Sequence, residues 1–223
     1  MRRCRSGSED EMVALFLRTE VSAVRFRAGL LEHLKQAGLC ERVLTRPNLS
    51  DQAENRARKD LLARHRGYGR GEEHLKCCLT HPPVCLSNAD DLQDFFEGFP
   101  ANVRWEWEAL TPDEVARVKY IDYSYWVELS GGSRLPADAA PRVRAGIAPF
   151  GVSSAWALSF ADAISAGADV PPMILVAPHE GADLVVVEGH ARLTAYMLRP
   201  EVLPAELLAL VGYSPDIIRW GCY

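Results

Sequence analysis

The stretch that decides how this chain folds is Leu184-Val-Val-Val-Glu-Gly-His-Ala-Arg-Leu-Thr-Ala-Tyr-Met-Leu198. Leu184 to Val187 is a short, β-branched apolar run and predicts a buried strand. Glu188-Gly189-His190 breaks it. From Ala191 the spacing turns helical, with Leu193, Tyr196 and Met197 at i, i+3 and i+4. An acid, a glycine, an imidazole and the Arg192 guanidinium thus gather where a strand hands over to a helix. A helix start offers free backbone N–H groups and the positive end of a dipole, which suits an anion. Gly189 permits φ > 0 or the close approach of a ligand.

Working outward, Pro172-Met-Ile-Leu-Val-Ala177 reads as a second apolar strand, and Gly181 and Asp183 suit a hairpin turn between the two. Gly189-x-x-Arg192-x-x-Ala195, behind a strand and an acid, resembles the signature of the ParB/sulfiredoxin-like superfamily. The Pro-led strand resembles the one that precedes that signature, and the likeness spans roughly residues 120–200. It implies an α+β fold with a small mixed sheet. It also implies a motif helix that binds nucleotide phosphates through Gly189 and Arg192, faced by an Arg-bearing loop. The chain departs from the pattern in two places. His190 stands where sulfiredoxins carry their catalytic cysteine, so sulfinic acid reduction is not expected. Ala191 replaces the first of two basic residues of partition proteins, and 25 residues follow Leu198, too few for their DNA-binding region. Nucleotide binding, small-molecule phosphotransfer and nuclease-like activity remain.

The rest of the chain fits a protein of 223 residues with 48% apolar and 25% charged residues. No apolar run approaches a membrane span, and the Arg-rich start has no apolar segment behind it, so neither a membrane nor secretion is expected. Six cysteines at irregular spacing favour reduced thiols and a cytoplasmic setting. Charge is uneven. Residues 1–70 hold 15 Lys/Arg against 9 Asp/Glu, and residues 71–223 hold 10 against 21. A solvated helical surface accounts for this; the sharper alternative is a basic face for nucleic acid.

Ser8 with Glu11 forms a capping-box pattern ahead of an amphipathic helix, with a break near Gly29 and a stop at Gly38. Ser50 opens a second helix to about His65, ended by the Gly-rich residues 66–71. A short helix is expected over residues 90–96. Val103 to Leu110 alternates and predicts a strand. Thr111-Pro-Asp-Glu114 starts a helix that runs to about Val118. Ile121 to Leu129 reads as an aromatic strand, followed by a tight Ser130-Gly-Gly-Ser-Arg134 loop. A Pro- and Ala-rich stretch leads to a helix over about residues 153–166, and Pro204 to Val211 predicts a last short helix. The expected organisation is a helical N-terminal region over 1–71, an irregular connector over 72–102 and a ParB/sulfiredoxin-like α+β domain over 103–223.

Three further groups carry possible chemistry. In Ser130–Arg134, consecutive glycines after a strand could aim N–H groups at an anion, with Ser133 and Arg134 as a second wall of the site; a plain hairpin turn is the alternative. His74, Cys77, Cys78, His81 and Cys85 are zinc-ligand types, but their spacing fits no standard finger, and buried thiols explain them better. Trp105, Trp107, Tyr120, Tyr123, Tyr125 and Trp126 form an aromatic belt, expected in the core, with a base-stacking wall as the alternative. The resulting expectation is a nucleotide-binding protein, a small-molecule phosphotransferase or nucleotide hydrolase. Gly189, Arg192, Ser133 and Arg134 would hold phosphates. Glu188 and His190 would move protons, and Glu188 would also ligate Mg²⁺ brought with ATP or another nucleotide. A non-catalytic ligand sensor and a nucleic-acid-binding or nuclease-like protein are the alternatives, and homo-oligomers fit any of them.

Overall fold

The structure, a computed structural model, describes residues 1–22, 24–65 and 96–223. The Gly-rich residues 66–71, the His74/Cys77/Cys78/His81/Cys85 group and nearly all of the helix expected over 90–96 lie outside the described residues. The described chain divides into two compact units, residues 1–7 with 98–223 and residues 8–97.

The first unit is built on a five-stranded mixed sheet: β1 (Arg2–Ser6), β2 (Arg104–Leu110), β3 (Met173–Ala177), β4 (Val185–Glu188) and β5 (Leu207–Tyr213). Their order is β1-β2-β5-β3-β4. Only β3 and β5 run parallel; the other three pairs are antiparallel. β5 lies between β2 and β3 and is buried on both faces over Ala209, Leu210 and Val211. Lys119 adds a one-residue parallel bridge to the free side of β4. One face of the sheet presents Met173, Leu175, Val186, Ala209 and Val211 to a core shared with Leu129, Ala139, Val143, Ala157 and Leu193. Those core partners come from the helical part of the unit.

The second unit is helical. Glu9–Ser22 (α1), Val24–Gln36 (α2), Arg42–Thr45 (α3) and Gln52–His65 (α4) contribute buried Phe16, Leu17, Val21, Leu30, Leu44 and Leu61. Ser8 caps α1 through a 3.2 Å bond from the Glu11 N–H. Gly29, the expected break, lies inside α2. Asp51, not Ser50, caps α4, accepting from the N–H groups of Ala53 and Glu54. Arg58 is 1% exposed and bonds the Val43 and Asn48 carbonyls, so this unit holds a buried guanidinium in its core.

Back in the sheet unit, Pro112–Val115 (α5) carries the expected capping box between Thr111 and Glu114, yet lasts one turn. Ser124–Leu129 (α6), Pro136–Arg144 (α7), Ala155–Ser165 (α8) and His190–Leu198 (α9) follow. Four differences from the sequence reading stand out. Residues 2–6, read with the helical N-terminal region, are an edge strand of the sheet. Residues 121–129 are not a strand: Tyr123 is extended, and α6 starts at the next residue. Tertiary contacts of Trp126 override β propensity there. The Pro- and Ala-rich stretch is a helix, with Pro136 at its first position and Pro141 within it. The expected last helix is strand β5. A strand buried on both faces reads as a continuous apolar run, and Leu-Leu-Ala-Leu-Val carries no period to separate it from a helix.

Candidate functional site

β4 ends at Glu188, Gly189 takes φ 117°, and α9 starts at His190, with no side-chain cap at its N-terminus. A Cβ at Gly189 would lie 2.7 Å from Met173 Cγ and 3.3 Å from Arg192 Nη2, so this corner requires glycine both for its φ and for its space. The first helical bond of this turn runs from the Leu193 N–H to the Gly189 carbonyl at 2.9 Å. The N–H groups of His190, Ala191 and Arg192 precede it and form the positive end of α9.

Arg192 does not point into solvent. It is 3% exposed. Its Nη1 donates to the carbonyls of Pro171 and, at 2.7 Å, Pro172. Its Nη2 lies 3.3 Å from Glu188 Oε1. Burial pulls its basicity below the usual arginine value, and Glu188 counters this. Arg192 therefore straps the start of β3 to the end of β4, and the Glu188 carboxylate, 16% exposed, is half-turned toward it. The expected phosphate ligand is a strut beneath the corner.

The Ser130–Arg134 loop follows a helix, not a strand. Gly132 N–H bonds the Val127 carbonyl at 2.8 Å and Gly131 N–H bonds Glu128 at 3.0 Å, which together form a Schellman motif closing α6. The glycine N–H groups expected to face an anion are thus taken by helix carbonyls. Ser133 Oγ donates to the Ser130 carbonyl and accepts from the Leu135 N–H. Arg134, at φ 62°, donates from Nε to the Tyr120 carbonyl and from Nη1 to the Tyr223 carbonyl, both at 2.8 Å. Burial lowers its basicity as well.

His190 occupies a setting that the sequence reading missed. Its ring stacks on Trp126, with centroids 4.9 Å apart and planes 18° from parallel. Tyr120 stacks on the same indole at 4.8 Å. Thr194 Oγ1 donates to the His190 carbonyl at 2.8 Å and so accepts from the Tyr120 hydroxyl at 2.7 Å. Burial pushes the Tyr120 phenol far above its usual value. Tyr125 and Trp156 stand perpendicular to Trp126, at 5.0 and 6.1 Å. A signal for this cluster was present in the three-residue spacing of Tyr123, Trp126 and Leu129, which is helical.

Glu188, Gly189, His190 and Arg192 are brought together; Arg134 attaches to them through Tyr120, while Ser133 bonds Ser130 and Leu135 of its own loop. Among the described residues no group of three or more His, Cys, Asp and Glu is placed to hold a metal. Among them also, no helix is long and apolar enough to cross a membrane. Residues 8–65 hold ten Lys/Arg against nine Asp/Glu, so the basic excess of the first 70 residues belongs to Arg2, Arg3, Arg5, Arg66 and Arg70. On β1, Arg2 pairs with Glu206 and Arg3 with the buried Glu106, both at 2.7 Å, while Arg5 lies over the Trp107 ring. Compared with known proteins, the chain matches no family model, no curated protein and no solved structure.

Proposed function

We propose that this chain is a nucleotide-binding protein of ParB/sulfiredoxin-like fold, with the ligand's phosphates at the N-terminus of α9. The observation that carries this reading is the corner itself: a left-handed glycine opening a helix without a side-chain cap, with Glu188 before it and His190 after it. The phosphate contacts fall to backbone N–H groups of residues 190–192 and to His190. Arg192 and Arg134 support the site from behind. The Pro-led strand, hairpin, glycine corner and helix occur in the order that the superfamily resemblance implies. The even charge of residues 8–65 takes support from the nucleic-acid reading.

In the phosphotransferase or hydrolase form of this proposal, His190 transfers the proton. Glu188 would be the carboxylate that holds a nucleotide-bound Mg²⁺, an ion that takes one or two carboxylates plus phosphate oxygens and would offset the charge on the phosphates. The sensor form has its own support: Glu188 is already paired to Arg192, and both predicted phosphate arginines bond carbonyls. A thermal-shift series with ATP, CTP, GTP and ADP, with and without Mg²⁺, tests the common core. At a ligand concentration 100-fold above Kd the expected stabilisation is about 2.7 kcal/mol, a rise of roughly 5–10 °C for a chain of this size. No shift with any nucleotide would end the proposal. Phosphate release that is lost in His190→Ala, with binding retained, selects the enzyme; binding without release selects the sensor.

A further inference from the structure

His190 is held by its ring and by its backbone. The ring lies against Trp126, at 4.9 Å and 18° from parallel. Trp126 is itself fixed by other rings. Tyr120 stacks on it at 4.8 Å, and Tyr125 and Trp156 stand perpendicular to it, joined to each other by a 3.3 Å bond from Trp156 Nε1 to the Tyr125 hydroxyl. An indole packed in this way has little room to turn, so it limits the imidazole to rotamers that keep the stack. The backbone hold runs through Thr194, which is fully buried. Its Oγ1 donates to the His190 carbonyl at 2.8 Å and accepts from the Tyr120 hydroxyl at 2.7 Å. Thr19, Ser22 and Thr45 also bond the carbonyl four residues back, but at Thr194 the hydroxyl is tied as well to a buried phenol 74 residues away. The peptide that joins His190 to Ala191 is planar, so a fixed carbonyl also fixes the Ala191 N–H, which points the opposite way. A carbonyl that accepts such a chain of bonds is polarised by it, and the N–H of its own peptide becomes a stronger donor.

We infer that Trp126 and Thr194 are positioning residues for His190. Trp126 sets the imidazole, and Thr194, backed by Tyr120, sets the peptide whose N–H meets the ligand's phosphate. The inference rests on the phosphate corner proposed above and names what holds that corner ready. Trp126 gives its ring to His190, and the Thr194 hydroxyl spends its donor on the His190 carbonyl, so both act through His190 and its peptide. Their effect is preorganisation. A side chain or peptide that is free before binding must be fixed when the ligand arrives, and one that is already held avoids that loss.

Isothermal titration of ATP, and of tripolyphosphate as its base-free counterpart, into wild type, Thr194→Val, Thr194→Ser, Trp126→Leu and Trp126→Phe tests this. Thr194→Val and Trp126→Leu are each expected to weaken both ligands roughly 2- to 10-fold, the range that fixing one free group costs. Thr194→Ser keeps the hydroxyl and Trp126→Phe keeps a flat ring, so both should hold most of the wild-type affinity. A folded Thr194→Val or Trp126→Leu protein that binds as wild type does overturns the part given to that residue and leaves the corner intact. Wild type that binds neither ligand overturns the corner and the inference together. Should Thr194→Val fail to fold, Tyr120→Phe/Thr194→Val replaces it, because removing both hydroxyls leaves no buried phenol without a partner. The Ala191 amide proton gives a reading that a purely structural role would leave unmoved. Tripolyphosphate should shift it downfield in wild type and less so in Tyr120→Phe/Thr194→Val; equal shifts overturn the part given to Thr194. Should Trp126→Leu fail to fold, the ring-current shifts of the His190 imidazole protons in wild type report the stack. They should persist when tripolyphosphate binds, and their loss overturns the part given to Trp126.

Discussion

The corner at residues 188–192 and the loop at residues 130–134 use the same residue types and arrive at opposite ends of a helix. Each combines glycine, a polar neighbour and an arginine. Each holds residues at positive φ: Gly189 in one, Gly131, Gly132 and Arg134 in the other. In both, the arginine bonds backbone carbonyls. The difference is direction. Gly189 precedes α9, so the first N–H groups of that helix and its positive dipole end lie at the corner. Gly131 and Gly132 follow α6, so their N–H groups turn back to satisfy its last carbonyls. Composition alone does not separate an anion site from a helix stop; the side of the glycine on which the helix lies does.

Arginine removal should separate the two regions most strongly. Arg192→Ala takes the partner from a largely buried carboxylate and two carbonyl groups, a loss of about 3 kcal/mol, the lower end for a broken buried pair because Glu188 keeps some solvent. Arg134→Ala removes two carbonyl bonds from a half-buried side chain, about 1–2 kcal/mol. Urea unfolding of both variants measures the gap. Equal losses would mean that Arg192 is not the strut described. Nucleotide affinity, compared where each variant is folded, should fall further in Arg192→Ala than in Arg134→Ala.

The glycines give a smaller contrast. Gly189→Ala combines a left-handed backbone with a Cβ driven into Met173, and should cost about 2–3 kcal/mol. Gly131→Ala meets nothing closer than 3.6 Å, the Arg142 guanidinium, and bears only the backbone term, about 1 kcal/mol. Thermal unfolding of the pair sharpens the comparison. A Gly131 variant that loses as much as Gly189 would place the strain in φ alone and remove the packing argument at the corner.

The corner was legible in the sequence because a β-branched run, a glycine and a helical period meet within 15 residues, all local signals. The strand before it, β2, the Ser8 cap and the capping box at Thr111 were legible for the same reason. What escaped was set by distant partners. β5 reads as a helix until β2 and β3 are seen on either side of it. Residues 121–129 read as a strand until His190 is seen against Trp126. At Arg192 the residue was found and its partners were not, because the carbonyls of Pro171 and Pro172 lie 20 residues or more away in sequence.

Tyr120 joins the two regions and offers the finest test of them. Its backbone exchanges bonds with Arg134: the Tyr120 N–H donates to the Arg134 carbonyl, and Arg134 Nε donates back. Its hydroxyl reaches α9 through Thr194. Burial is the main cause holding this phenol in its neutral form, with the Thr194 bond acting weakly against it. A raised folded value means that the contribution to stability is complete below the unfolded phenol value of roughly 10 and is lost as pH rises beyond it. Tyr120→Phe removes one buried hydrogen bond, about 1 kcal/mol at neutral pH. It should also flatten part of the fall in stability above pH 10, read by urea unfolding at pH 8 to 11. Tyr213, raised by burial and by its bond to Glu108, keeps its own share of that fall in the variant. An alkaline profile identical in wild type and Tyr120→Phe would show that the phenol ionises freely. The link between the loop and the start of α9 would then be carried by the Tyr120 backbone alone.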